Sequence, residues 1–357
     1  MGYVIPLNIP FRQPTQTHRL EALMQRFASE RRKPDDVFWL KENAELLNIL
    51  HSLEKTVAPD TLDPLTSLYD ALDTRLGFFP QYYRFFLSIC LDLEDLGLDG
   101  GRAEHAVDWV ISEGLVEAEL SDLQRAEARR LCQRRGRDPI SGDTGLDDRL
   151  RAFTARRETF ALPNKKAAYE LTHIVFYLSQ YGHKAPRLPE ACIDSLHFAG
   201  TLAFLELNID LLAEICIALR FAGHTPPAIW EDWLHEQKST FRLKPNSLAW
   251  IGDDYHPYFM VNWFADLAEG DGFKETIPEG PLYFSAPKNE RVPLREISEC
   301  MYRMDGARLP NWPAMRRVLD GLLSVEAREM VAAAETAIDF DAFFAGFSRS
   351  RLQGDRA

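Results

Sequence analysis

Apolar residues recur at spacings of three and four along most of the chain, which predicts an all-helical protein. In residues 35–50, Val37, Leu40, Ala44, Leu47 and Leu50 fall on one stripe, behind Asp35 and Asp36 where a helix dipole favours acids. Trp39, Asn43 and Asn48 are the unusual residues there, and the asparagines read as surface or capping groups. Residues 82–96, YYRFFLSICLDLEDL, are apolar nearly all round apart from Arg84 and an acidic last turn, so this helix is expected to be buried. Asp92, Glu94 and Asp95 sit at the end the dipole disfavours and are expected to find basic partners or solvent. Further helices are expected from Thr17 to about residue 31, from Pro64 to about Leu76, over 105–114, 121–136 and 189–205, through the Trp-rich IWEDWLHEQ, from Asp253 or Asp254 as cap with Pro257 in the first turn, and over 294–304 and 312–337. Residues 1–15, with Pro6, Pro10 and Pro14, predict an extended arm, and 270–293 a long connection holding a short strand.

The most informative segment is residues 169–186, YELTHIVFYLSQYGHKAP. It aligns with residues 210–227, DLLAEICIALRFAGHTPP, at an offset of 41. Leu171, Ile174 and Leu178 pair with Leu212, Ile215 and Leu219, and Gly182-His183 pairs with Gly223-His224. Gly97 and Gly136 add two more helix-ending glycines at comparable intervals. A period of about 41 residues holding two helices predicts helical hairpins arranged as an α/α toroid or a tightly curved solenoid. The expected organisation is an N-terminal arm with helices packed on the body (1–60), then a helical-hairpin body (61–357). Within the body, RDPISGDTGLDD (137–148) is the best candidate for an internal linker.

Charge narrows the function classes. With 41 Lys and Arg against 54 Asp and Glu the net charge is −13, which disfavours nucleic acid and anionic membranes as partners. The dense basic stretch 125–137 is interleaved with Glu127 and Asp138, lacks aromatic residues, and reads as a solvated helix face. Five scattered cysteines without a CxxC predict free thiols in a reducing compartment, and the early prolines argue against a signal peptide. Cytoplasmic location is the expectation.

His173 and Glu214 occupy equivalent positions of the aligned segments, each nine residues before the terminal glycine. Tyr255 and His256 open the next long helix near the corresponding point. His173, Glu214 and His256 are therefore expected to converge on a central pocket, as a His₂Glu site for a divalent metal such as zinc or as a metal-free acid–base set with Tyr255. Tyr169, Glu170, Thr172, Tyr177 and Asp210 are expected to line that pocket, with Tyr82, Tyr83, Phe85, Tyr258 and Trp263 as an apolar wall. His183 and His224 read as helix caps. Two function classes follow: an enzyme acting on a small molecule or peptide, and a non-catalytic scaffold that holds a partner on a concave face.

Hairpins with polar residues on the inner helices resemble the α/α toroids of terpene cyclases, lanthipeptide cyclases, N-acylglucosamine epimerases and α/α-barrel glycosidases. The resemblance covers about residues 60–340 and implies a fold, not an activity. It lacks DDxxD, since Asp253-Asp254 runs on into Tyr255, and DxDD, since Asp339-Phe340-Asp341 runs on into Ala342. No Cys-His pair matches the zinc set of lanthipeptide cyclases. The phrases FWLKENAELLNIL and YELTHIVFYL are similar to members of an uncharacterised alphaproteobacterial family.

Overall fold

In the computed structural model residues 15–246, 252–288 and 291–350 are described, so all but the last residue of the expected N-terminal arm lies outside the described residues. The first helix, α1 (Gln16–Ser29), is capped by the Thr15 hydroxyl, which accepts the His18 N–H, so the cap falls two residues ahead of Thr17. Asp36 caps α2 (Val37–Ser52) by accepting the Phe38 N–H at 2.8 Å. The single helix expected from Pro64 is instead a 3₁₀ turn, Pro59–Leu65, followed by α3 (Thr66–Asp70) and α4 (Leu72–Phe78). Pro64 supplies no N–H donor, which keeps that turn from continuing as α-helix.

The chain continues through α5 (Tyr83–Asp95), α6 (Arg102–Ser112), α7 (Asp122–Gln133), α8 (Leu146–Thr154) and α9 (Arg157–Phe160). Then come α10 (Lys165–Leu178), α11 (Glu190–Leu205), α12 (Ile209–Phe221), α13 (Ala228–Thr240) and α14 (Tyr255–Glu269). The helix expected over 312–337 is two, α16 (Trp312–Leu319) and α17 (Val325–Ala337), after α15 (Pro293–Met304). The break lies ahead of Ser324, whose hydroxyl caps α17. A helix missing from the expectation, α18 (Phe340–Phe347), is capped by Asp339 and buries Phe340, Phe343, Phe344 and Phe347 at helical spacing. The strand expected in 270–293 is β2 (Leu282–Ser285), and its antiparallel partner β1 (Arg242–Pro245) has no forerunner in the sequence pattern. The described residues are mostly helical, with this one two-stranded sheet.

Six helices pack in succession. Helix α2 lies on α5, α5 on α7, α7 on α10, α10 on α12 and α12 on α14. Glu45 of α2 then meets Tyr255 and His256 of α14. Other helices cover these from outside, α1 on α2, α6 on α5, α11 and α13 on α12. The covering explains why α12 is buried around its whole circumference: nine of its residues, Leu211 to Leu219, are buried, and all but Glu214 are apolar. Asn208 caps it by accepting the Leu211 N–H. One hydrophobic cluster runs from Leu20 to Phe347.

The aligned segments differ at their ends. Helix α12 stops at Phe221 with Gly223 left-handed at φ +83°, and the His224 N–H donates to the Leu219 carbonyl. Helix α10 stops at Leu178, and Gln180 and Tyr181 take left-handed φ values of 50° and 56° before Gly182 at 95°. The His183 ring meets Glu54 at 3.6 Å and the edge of His51, so it does not cap the helix carbonyls as expected.

The basic stretch 125–137 also departs from its expectation of a solvated face. Arg134 reaches Asp92 at 2.7 Å and Asp95 at 2.6 Å, Arg135 reaches Glu94 and Asp95 at 3.0 Å, and Arg129 pairs with Asp138. The acidic end of α5 thus finds basic partners, on α7. Burial would raise the Asp95 carboxyl, but hydrogen bonds from His51 and Arg134 outweigh it and hold the group well below its ordinary range. A depressed folded-state pKa stabilises above the unfolded value of about 4 and fades as pH falls towards the folded value. Asp95→Asn is expected to cost about 1–3 kcal/mol at pH 7, the worth of a charge-assisted hydrogen bond. That cost should shrink below about pH 4 in denaturant titrations at the two pH values, and a cost independent of pH would refute the assignment.

Candidate active site

The six helices line a cleft of about 260 Å³. Each contributes lining side chains: Lys41, Glu45 and Asn48 from α2, Arg84 from α5, Glu127 and Arg130 from α7, His173 and Tyr177 from α10, Glu214 from α12, and His256, Met260 and Trp263 from α14. Helical spacing accounts for several of these. Lys41, Glu45 and Asn48 are one polar stripe of α2, and His256, Met260 and Trp263 are one stripe of α14.

The acidic end of the cleft is built in two layers. Asp210 and Glu214 lie one turn apart on α12. The His256 ring nitrogen Nδ1 is 2.6 Å from Asp210 Oδ1, and Asp210 Oδ2 accepts the Tyr169 hydroxyl at 2.7 Å. Tyr169 and Asp210 are themselves an aligned pair at offset 41. Glu214 is 1 % exposed and accepts the Thr172 hydroxyl at 2.6 Å. One ligand-capable atom from each of Asp210, Glu214 and His256 lies within 4.8 Å of the others. Glu45 Oε1 stands 3.8 Å from His256 Nε2.

Electrostatics separates these groups. Burial opposes charge on His256, but the Asp210 hydrogen bond and charge outweigh it and push the imidazole up to about 9. Burial would raise Asp210, yet the same hydrogen bond holds it below the ordinary carboxylate range. Glu214 is raised, with burial outweighing the His173 charge that opposes it.

His173, Glu214 and His256 therefore line one cleft, but the tight group of ligand atoms takes in Asp210 in place of His173. The reason is local. His173 Nδ1 is 2.8 Å from the carbonyl of Tyr169, one turn back on its own helix, and a carbonyl only accepts. Nδ1 therefore carries a proton, and any lone pair of the ring lies on Nε2. His173 Nδ1 lies 3.8 Å from Glu214 Oε2.

Of the other expected lining residues, Tyr177 and Trp263 face the cleft. Tyr169, Thr172 and Asp210 are not lining residues: Tyr169 and Thr172 donate hydrogen bonds to the carboxylates of Asp210 and Glu214, and Asp210 is held by His256. Glu170 lies near Lys166, 3.9 Å away. Tyr255 donates to Glu45 Oε2 at 3.1 Å while the Arg31 guanidinium lies over its ring, which places Tyr255 between the cleft and the buried ion network described below. Phe85 lines the cleft; Tyr258 is fully buried and donates to Glu275. Glu45, Arg84, Glu127 and Arg130 were not expected. The signals available were the polar stripe Lys41, Glu45 and Asn48 of α2 and the lone arginine of α5.

A family model matches residues 1–350. The chain belongs to the family described as Domain of unknown function (DUF6902). No curated protein and no solved structure matches it. Among the described residues no helix is long and apolar enough to cross a membrane.

Proposed function

We propose that this DUF6902 chain is an enzyme acting on a small molecule in the six-helix cleft, with a divalent metal ion held by Asp210, Glu214 and His256. The observation that carries the reading is the convergence of those three ligand atoms within 4.8 Å, with Glu214 and His256 lining the part-apolar cleft and Asp210 hydrogen-bonded to His256. Two carboxylates and an imidazole suit zinc, manganese or iron, and three protein ligands leave positions for water or substrate. Outer partners support the set, Tyr169 on Asp210 and Thr172 on Glu214, as orienting groups do in metal sites. A bound ion would polarise substrate or acidify a water. His173, with Nδ1 engaged by its own helix, lines the same cleft. The contact of Glu45 on α2 with His256 on α14 favours a closed α/α toroid over an open solenoid, and a closed ring favours a small-molecule substrate over a partner draped on a concave face.

A second reading rests on the 2.6 Å contact between His256 and Asp210, with Tyr169 behind it. This arrangement fixes an imidazole for acid–base work without a metal. Zinc and manganese titrations of the full chain separate the two. The metal reading expects one equivalent bound, a stability gain of about 2.7 kcal/mol at 100 times Kd, and loss of both in Asp210→Asn and His256→Gln. Failure of both ions to bind, with the wild type no different from the variants, would sink the metal reading.

A further inference from the structure

The other end of the cleft has an unmatched cation. Arg130 is 5 % exposed and lines the cleft, and its Nε atom is buried with no hydrogen-bond partner. The remaining long cations of the lining are spoken for. Lys41 lies 3.5 Å from Glu45, and Arg84 pairs with Glu119 and Glu127. Among the described residues that line the cleft, Arg130 is the one guanidinium or ammonium with no carboxylate within 4.0 Å. Its contacts are the faces of aromatic rings, with the guanidinium carbon 4.5 Å from the Tyr181 centroid and 5.9 Å from that of Tyr177. A cation–π contact offsets only part of the cost of burying an unpaired charge.

Beside it is a second orphan. Trp263 Nε1 is buried without a hydrogen-bond partner, and the Trp263 ring stacks on Tyr181 at 5.9 Å and 19°. Tyr181 holds this place in a left-handed conformation, φ 56°, which a bulky residue adopts only where its surroundings impose it. Arg130, Tyr181 and Trp263 thus form one wall that holds two buried donors without partners. Trp263 lies seven residues beyond His256 on the same face of α14, about 10 Å along the helix.

The geometry points to an oxyanion subsite: Arg130, aided by the Trp263 N–H, binds a carboxylate or phosphate group of a small anionic substrate whose other end reaches Asp210, Glu214 and His256. This rests on the reading of the cleft as a substrate site, and it does not depend on the ion. Guanidinium forks suit both oxyanions, and the acidic far end repels a second anionic group unless a cation is bound there.

Calorimetric titration of the full chain at constant ionic strength, with inorganic phosphate and with succinate as probes, tests it. At least one probe is expected to bind saturably, and the probe that binds tells phosphate from carboxylate. Arg130→Gln is expected to weaken that binding at least about 10-fold, the loss of a charge-assisted hydrogen bond. Arg130→Lys should recover part of it, and Trp263→Phe, which keeps a ring and removes the donor, should weaken it a few-fold. Should Arg130→Gln fail to fold, Arg130→Lys and Trp263→Phe decide, and wild-type affinity in both overturns the proposal. So does the absence of saturable binding by either probe. Asp210→Asn separates the two ends: anion binding retained while metal binding is lost supports the subsite, and anion binding lost with the metal assigns the anion to the ion and overturns it. Arg130-dependent binding in a chain that takes up no metal leaves the subsite standing while the metal reading falls.

Discussion

Replacing Arg31 with glutamine is expected to destabilise the fold by about 3–5 kcal/mol, the usual effect of removing one partner from a buried ion network. The Arg31 side chain is 1 % exposed and pairs with Glu42 at 2.8 Å and Asp253 at 2.6 Å, themselves 1 % and 3 % exposed. It also donates to the Leu282 carbonyl at 2.7 Å, so one guanidinium ties α2, the start of β2 and the approach to α14. Phe27, Tyr255 and Phe284 close around it with their ring faces. Glutamine would leave two carboxylates buried against a single neutral amide, with Arg32 alone to satisfy Glu42. Guanidinium denaturation of wild type and variant measures the difference, and a loss below about 1 kcal/mol would mean that solvent already screens the network. The network also bears on the cleft. Tyr255 lies under Arg31 and next to His256, so loosening the network should weaken metal binding without touching a ligand.

How much of this was legible in the sequence can be judged residue by residue. Period-3.6 patterning located the long helices, because a helix covered on one side or all round must show it in its apolar positions. His173 and Glu214 hold equal positions of the aligned pair 169–186 and 210–227, and both line one cleft where α10 packs on α12. The same alignment holds Tyr169 opposite Asp210, and those two are hydrogen-bonded. What escaped was whatever depended on tertiary contact alone. Helices α16 and α17 part at a cap, Ser324, inside a stretch that patterning reads as continuous. Arg130 sits in a run of charges that looks solvated because its exposure is decided by α10 and by the aromatic rings it meets, none of them near it in sequence. Glu45 looks like an ordinary helix-surface acid until α14 closes against α2. His173 has the sequence position of a ligand, but its own backbone engages Nδ1, a contact one turn away that residue identity does not reveal.

Glu214→Gln is expected to act in opposite directions on stability and on metal binding. Glu214 has one carboxylate oxygen satisfied by Thr172, and burial penalises its charge more than His173 and His256 compensate it. An amide of the same shape keeps the hydrogen bond from Thr172 and removes the buried charge, so the variant should be more stable than wild type in the absence of metal. The expected gain is about 0.5–2 kcal/mol, the range seen when a strained functional group is relieved. Metal affinity should fall at least about 100-fold, because outer partners of a ligand alone are worth about 10–100-fold and Glu214 is proposed as a ligand itself. Added zinc or manganese would then reverse the order of stabilities, with the wild type rising above the variant. A purely structural Glu214 makes the contrary prediction: its loss would lower stability with and without ions, and no concentration of metal would separate the two proteins. Thermal unfolding of both chains across a metal titration tells these outcomes apart. A variant that is less stable throughout would remove Glu214 from the site and leave the His256–Asp210 pair as the chemistry of the cleft.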